Sequence, residues 1–88
     1  MSEAHDDIAA RRRRLLWRAT HRGIKEMDIL LGRFATAHIA AMHDEALREL
    51  EAIVSFPDQD LLSWIAGQSP VPAELRNATL DALIAYRP

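Results

Sequence analysis

"MDILLGRFATAHIAA", Met27 to Ala41, sets the architecture of this chain. Met27, Leu30, Leu31, Phe34, Ala37 and Ala41, with His38 among them, recur at three- and four-residue steps. That spacing lines them along one stripe of a helix, and such a stripe must be covered by other elements. A strand would need strict alternation and an enrichment in β-branched residues, and the stretch has neither. The helix is predicted from about Ile24 to Ala40. Gly32 inside it costs up to about 1 kcal/mol relative to alanine, and it lets a neighbouring element pack closely.

The same period extends in both directions. Upstream, Ile8, Leu15, Leu16 and Ala19 predict a first helix from about Asp6 to Thr20, with Asp6 or Asp7 as its cap. Arg11 to Arg14 occupy nearly a full turn of it, and Gly23 breaks it from the second helix. Downstream, a boundary near Met42–His43 precedes a third helix whose apolar face is Ala46, Leu47, Leu50, Ile53 and Val54. Pro57 ends it, because proline cannot continue the hydrogen-bond ladder. Asp58 then reads as the N-cap of a short fourth helix, Gln59 to Ala66, that buries Leu61, Leu62, Trp64 and Ile65 and stops at Gly67. "QSPVPAEL" is a rigid connector, with Pro72 fitting the first turn of the last helix. Leu75, Thr79, Leu80, Leu83 and Ile84 form that helix's inward face. The prediction is an all-α chain, a small five-helix bundle in one domain over residues 1–88, with residues 1–6 as a flexible lead-in. Trp17 and Trp64 are assigned to its core, where tryptophan supplies much buried area.

Composition narrows the function classes. At 88 residues the chain has room for a modest core and little for a deep active-site cavity. Apolar residues make up 49% and charged residues 27%, a globular balance rather than a disordered one. Cysteine is absent, which removes disulfides and thiolate metal sites and permits a reducing compartment. The acidic opening "MSEAHDD" does not read as a signal peptide or a transit peptide, so a cytoplasmic location is expected. No apolar run approaches the roughly 20 residues a membrane span needs. A net charge of −2 does not favour nucleic acid.

Chemistry-bearing patterns are missing. The three glycines are scattered and form neither a phosphate loop nor a dinucleotide fingerprint. His38 and His43 are spaced poorly for one helical face, and His5 and His21 stand apart, so no metal site is expected. No serine sits in a nucleophile elbow. The reading is therefore of a protein that is not an enzyme and has no catalytic residues.

Two surfaces are left. The Arg11–Arg14 run is either a solvated basic face or a patch for acidic protein or phosphate. "HRGIKEMD", His21 to Asp28, is either a helix junction or a surface that a partner reads. Arg22 and Glu26 could pair if the turn between them were helical, for only about 0.2–0.5 kcal/mol. Gly23 could serve a bend, or a close approach by a partner.

Three markers in order weight that choice. Arg22-Gly23-Ile24-Lys25-Glu26, followed by Met27-Asp28, resembles the Arg-Gly-x-x-Glu motif of the succinate dehydrogenase FAD assembly factors, a small flavinylation-promoting family. "FPDQDLLSWI", with Asp58, Asp60 and Trp64, resembles that family's acidic turn and aromatic helix. "PVPAEL" resembles the opening of its last helix. The likeness runs over about residues 8 to 86, and Thr20 stands where some relatives carry an aromatic. It implies an assembly factor whose client is the flavoprotein subunit of succinate dehydrogenase, and in some bacteria of fumarate reductase. By implication the factor docks near the flavin site and favours covalent linkage of FAD to the client. It would have no cofactor of its own and be a monomer when free. The partner-binding residues it implies are Arg22, Gly23 and Glu26, with Asp28, Asp58 and Asp60 beside them. A small helical nucleic-acid-binding regulator using the Arg11–Arg14 face is the alternative, and a plain helical interaction module is a third reading.

Overall fold

A computed structural model describes the backbone from Glu3 to Arg87 and the side chains from Asp7 onward. Five α-helices follow one another: α1 (Glu3–Thr20), α2 (Lys25–His38), α3 (Asp44–Val54), α4 (Asp58–Ile65) and α5 (Ala78–Ala85). Single 3-10 turns at Ile39–Ala41 and Ala73–Leu75 lie before α3 and α5, and the described residues contain no strand. The flexible lead-in expected over residues 1–6 concerns Met1, Ser2 and the side chains of residues 3–6, which lie outside the described residues.

One core joins the helices. Leu15 and Ala19 of α1, Met27, Leu31, Phe34 and Ala35 of α2, and Leu47, Leu50, Ile53 and Val54 of α3 are buried together. Leu61 and Trp64 of α4 and Leu80 and Leu83 of α5 complete it. Gly32 packs tightly on the end of α1: a Cβ placed there would meet Thr20 Cγ2 at 3.2 Å and the Ala19 carbonyl oxygen at 3.6 Å, so an added side chain would have to push Thr20 aside.

Several boundaries differ from the sequence expectation for local reasons. The helical backbone of α1 starts at Glu3, so Asp6 and Asp7 lie within the helix and do not cap it. α2 gives way at His38 to a 3-10 turn. Ile39 on that turn is buried while Ala37, His38 and Ala41 are exposed, and the buried stripe of α2 runs through Ala35 instead. α4 begins at Asp58 with Pro57 in the cap position, and no side chain caps it. It ends as expected at Gly67, where the Gln68 N–H donates to the Ser63 carbonyl and the Gly67 N–H to the Trp64 carbonyl. This closure needs the left-handed backbone that Gly67 adopts, φ +74. Pro72 opens a 3-10 turn rather than α5. The last helix starts after Asn77, whose side-chain oxygen accepts from the Leu80 N–H at 2.7 Å.

The tryptophans part company. Trp64 is buried and meets Phe56 edge-on. Trp17 is 61% exposed, against the core assignment, because α1 turns Leu15 and Ala19 inward and residue 17 falls on the opposite side.

Polar side chains tie the bundle at its margins. The Glu49 carboxylate accepts from both the backbone N–H and the hydroxyl of Thr79, holding the start of α5 against α3. Arg11 donates to Asp44 at 2.8 Å and to Glu51, and Arg12 donates to the Met42 carbonyl at 2.7 Å. The four-arginine run is therefore divided between α3-facing clamps, Arg11 and Arg12, and two exposed side chains, Arg13 and Arg14.

Candidate functional site

The site grows from the break between α1 and α2. The Thr20 hydroxyl donates to the Leu16 carbonyl at 2.8 Å and finishes α1. Gly23 then takes φ +92, a conformation that L side chains rarely adopt. The chain re-enters a helix at Lys25, with Ile24 extended in the cap position and its carbonyl accepting from the Asp28 N–H at 2.9 Å. Ile24 has no capping side chain. The Asp28 carboxylate reaches back instead and accepts from the Arg22 N–H across the break.

Arg22 crosses to the other helix junction. Its Nε donates to Asp58 Oδ1 at 2.7 Å, its Nη1 to the Val54 carbonyl at 2.6 Å and its Nη2 to the Phe56 carbonyl at 2.8 Å. The Arg22 side chain is 10% exposed and that of Asp58 15%. The guanidinium thus satisfies carbonyls at the end of α3 and the acid at the start of α4, and the planar fork of arginine makes all three bonds possible at once.

The six sequence-derived residues fall into two groups. Arg22, Gly23, Asp28 and Asp58 build the double junction. Glu26 and Asp60 stand exposed on the first turns of α2 and α4, and their side chains make no hydrogen bond or ion pair among the described residues. Arg22 does not pair with Glu26, because positive φ at Gly23 interrupts the helical turn that such a pair requires. The space around Gly23 is open, with nothing within 4 Å of where a Cβ would sit. Gly23 therefore makes the bend, and it also leaves a bare edge beside the exposed carboxylate of Glu26.

Sequence reasoning missed the partners of this junction. Asp58 stands 36 positions from Arg22, and no local spacing pairs them. It also missed Trp17 and His21. Their rings stack with centroids 4.3 Å apart and planes at 10°. His21 Nδ1 lies 2.9 Å from the Trp17 carbonyl oxygen and 3.0 Å from the Thr20 hydroxyl. A cleft of about 360 Å³ opens beside the stack, lined by Trp17, Arg18, His21, Arg22, Phe56, Pro57 and Asp58. A second open groove, of about 520 Å³, runs along α2 past Ile29, Arg33 and Ala37 to Tyr86.

Among the described residues no group of three or more histidines and acids could hold a metal ion. No helix there is long and apolar enough to cross a membrane.

Comparisons with known proteins identify the family of the chain. The family model described as flavinator of succinate dehydrogenase, Sdh5, matches residues 13–87. The "FAD assembly factor SdhE" of Acetobacter pasteurianus is 43% identical over 81 residues, covering 92% of this chain and 74% of that protein. "Succinate dehydrogenase assembly factor 2, mitochondrial" of Dictyostelium discoideum is 35% identical over 74 residues, 84% of this chain and 52% of its own length. Its namesake from Candida glabrata is 34% identical over 79 residues, 86% of this chain and 52% of its own length. The chain thus spans about half of these mitochondrial relatives. No solved structure matches it. With its motif seated on a built double junction and nearly its whole length matched, the chain belongs to the Sdh5 family, the flavinators of succinate dehydrogenase.

Proposed function

We propose that this chain is a non-catalytic assembly factor that binds the flavoprotein subunit of succinate dehydrogenase and promotes covalent attachment of FAD to one of that subunit's own histidines. The observation that carries the reading is the bare edge at Gly23. Arg22, Asp28 and Asp58 hold that edge rigid from behind, and Glu26 projects from it without an internal partner. A preorganised edge loses little entropy on docking, and a carboxylate desolvated against a client donor makes a strong bond. A factor that binds the linkage-competent conformation of its client more tightly than other conformations shifts the population toward it. No catalytic group of its own is needed, and no cofactor of its own: the FAD is the client's.

Fumarate reductase, whose flavoprotein carries the same kind of linkage, is a second client on this reading. The factor acts as a monomer when free and forms a one-to-one complex. The likeness to a bacterial relative supports the cytoplasm as the compartment on this reading. The nucleic-acid alternative loses support from the division of the arginine run, since Arg11 and Arg12 are committed to α3 and the loop before it.

The test is covalent flavin on the client, read by in-gel flavin fluorescence after co-expression. Gly23→Arg and Glu26→Ala are expected to lower it while the far-ultraviolet circular dichroism stays helical. Normal flavinylation with both variants would overturn the assignment of the edge.

A further inference from the structure

Arg14, Trp17, Arg18 and His21 lie at steps of three and four residues, so they form one outward strip along the end of α1. All four are exposed, and the three side chains besides His21 have no hydrogen-bond or ion-pair partner among the described residues. An indole 61% exposed is unusual in a chain that buries its other tryptophan. This indole is also held in place. His21 stacks flat on it, and His21 is itself fixed by the Trp17 carbonyl and the Thr20 hydroxyl. The two arginines share the helix face of the stack, and the cleft it lines with Arg18, Phe56 and Pro57 gives it a partly apolar wall. Tryptophan and arginine are the side chains that most often dominate binding energy, above all when they need little ordering on contact. The strip is continuous with the Gly23 edge through His21 and Arg22.

We propose that this strip is a second docking element for the flavoprotein client, taking a segment that carries carboxylates beside an apolar side chain. The proposal rests on the assembly-factor reading and extends it from the Gly23 edge to α1. Its occupant follows from charge: the chain is net negative, yet this face presents two unpaired guanidinium groups around an aromatic anchor. The arginines steer and orient an acidic segment, and the indole supplies the desolvated contact.

The experiment is calorimetric titration of the purified chain against the apo flavoprotein subunit of the same organism's succinate dehydrogenase, at two salt concentrations. Trp17→Ala is expected to weaken binding at least tenfold, and Trp17→Phe to restore most of it. Arg14→Glu with Arg18→Glu is expected to weaken it similarly and to flatten the salt dependence. Melting temperatures should stay near that of the parent chain, since these side chains are exposed. If those variants bind like the parent while Glu26→Ala weakens the complex, the strip is not a docking element and the assembly-factor reading stands. If the parent chain does not bind the subunit at all, that reading falls and the strip proposal with it. Equal client binding by all strip variants, alongside a single-stranded oligonucleotide held through Arg14 and Arg18, would assign the strip to nucleic acid and overturn the proposal.

Discussion

Arg22 is the residue on which the site's shape depends. It satisfies two carbonyls and one carboxylate at the α3–α4 junction, and it is nearly buried while doing so. Arg22→Ala leaves all three acceptors short of a donor in a poorly solvated place. The expected loss is about 2–4 kcal/mol, measured by urea unfolding. Arg22→Lys should recover only part of it, because an ammonium cannot present the planar fork. Lost flavinylation in an Arg22 variant would therefore report a displaced edge as much as a lost contact. Gly23 makes the opposite case. Nothing lies near its missing Cβ, so Gly23→Ala should cost only the backbone strain of positive φ, about 1–2 kcal/mol, in the same assay. Residue types and spacing made these two legible as a motif but not their division of labour. Arg22 faces inward because its acceptors lie on a junction far along the chain, and no local pattern encodes that.

Asp44 supplies a pH-dependent contribution at the same scale. Hydrogen bonds from Arg11 and then Arg48 hold its carboxyl below the ordinary carboxylate range, and the bond to Asp44 is the largest cause raising Arg11. A folded-state pKa below the unfolded one means the contribution is present above about pH 4 and is lost as acid takes the pH down through the depressed value. Asp44→Asn should therefore flatten this part of the acid limb of a stability–pH profile and leave its shape near neutrality unchanged. Asp44 is exposed, so solvent screens the pair and the effect is small.

At the scale of elements, helix spacing carried most of the information. The five helices and the inward faces of α3 and α4 follow from three- and four-residue periodicity, because core contact selects that period. What periodicity missed are rotations and caps. The 3-10 turn after His38 re-aims Ile39, and Asn77 starts α5 where a proline had been assigned that role. Such features depend on how the chain must turn to reach the next packed position. Trp17 was misplaced because size and apolarity were read without its angular position on α1. The tight point between α1 and α2 yields its own prediction. Gly32→Val forces side-chain carbons into Thr20 and the Ala19 carbonyl, and should destabilise the bundle by about 1–3 kcal/mol in thermal or urea unfolding.

At the scale of the whole molecule, the end of α1, the Gly23 edge and the start of α4 lie around one cleft, and the Arg22 clamp ties the α1–α2 junction to the α3–α4 junction. On the proposed function, Glu26, on the bare edge, acts on the client rather than on the fold. Glu26→Ala separates the two, since the Glu26 side chain is exposed and makes no hydrogen bond or ion pair among the described residues. The direct measurement is covalent FAD on the succinate dehydrogenase flavoprotein, co-expressed with this variant at matched levels. The expected result is a parent-like melting temperature together with a several-fold drop in covalent flavin. Full flavinylation by a Glu26→Ala chain that folds normally would contradict it.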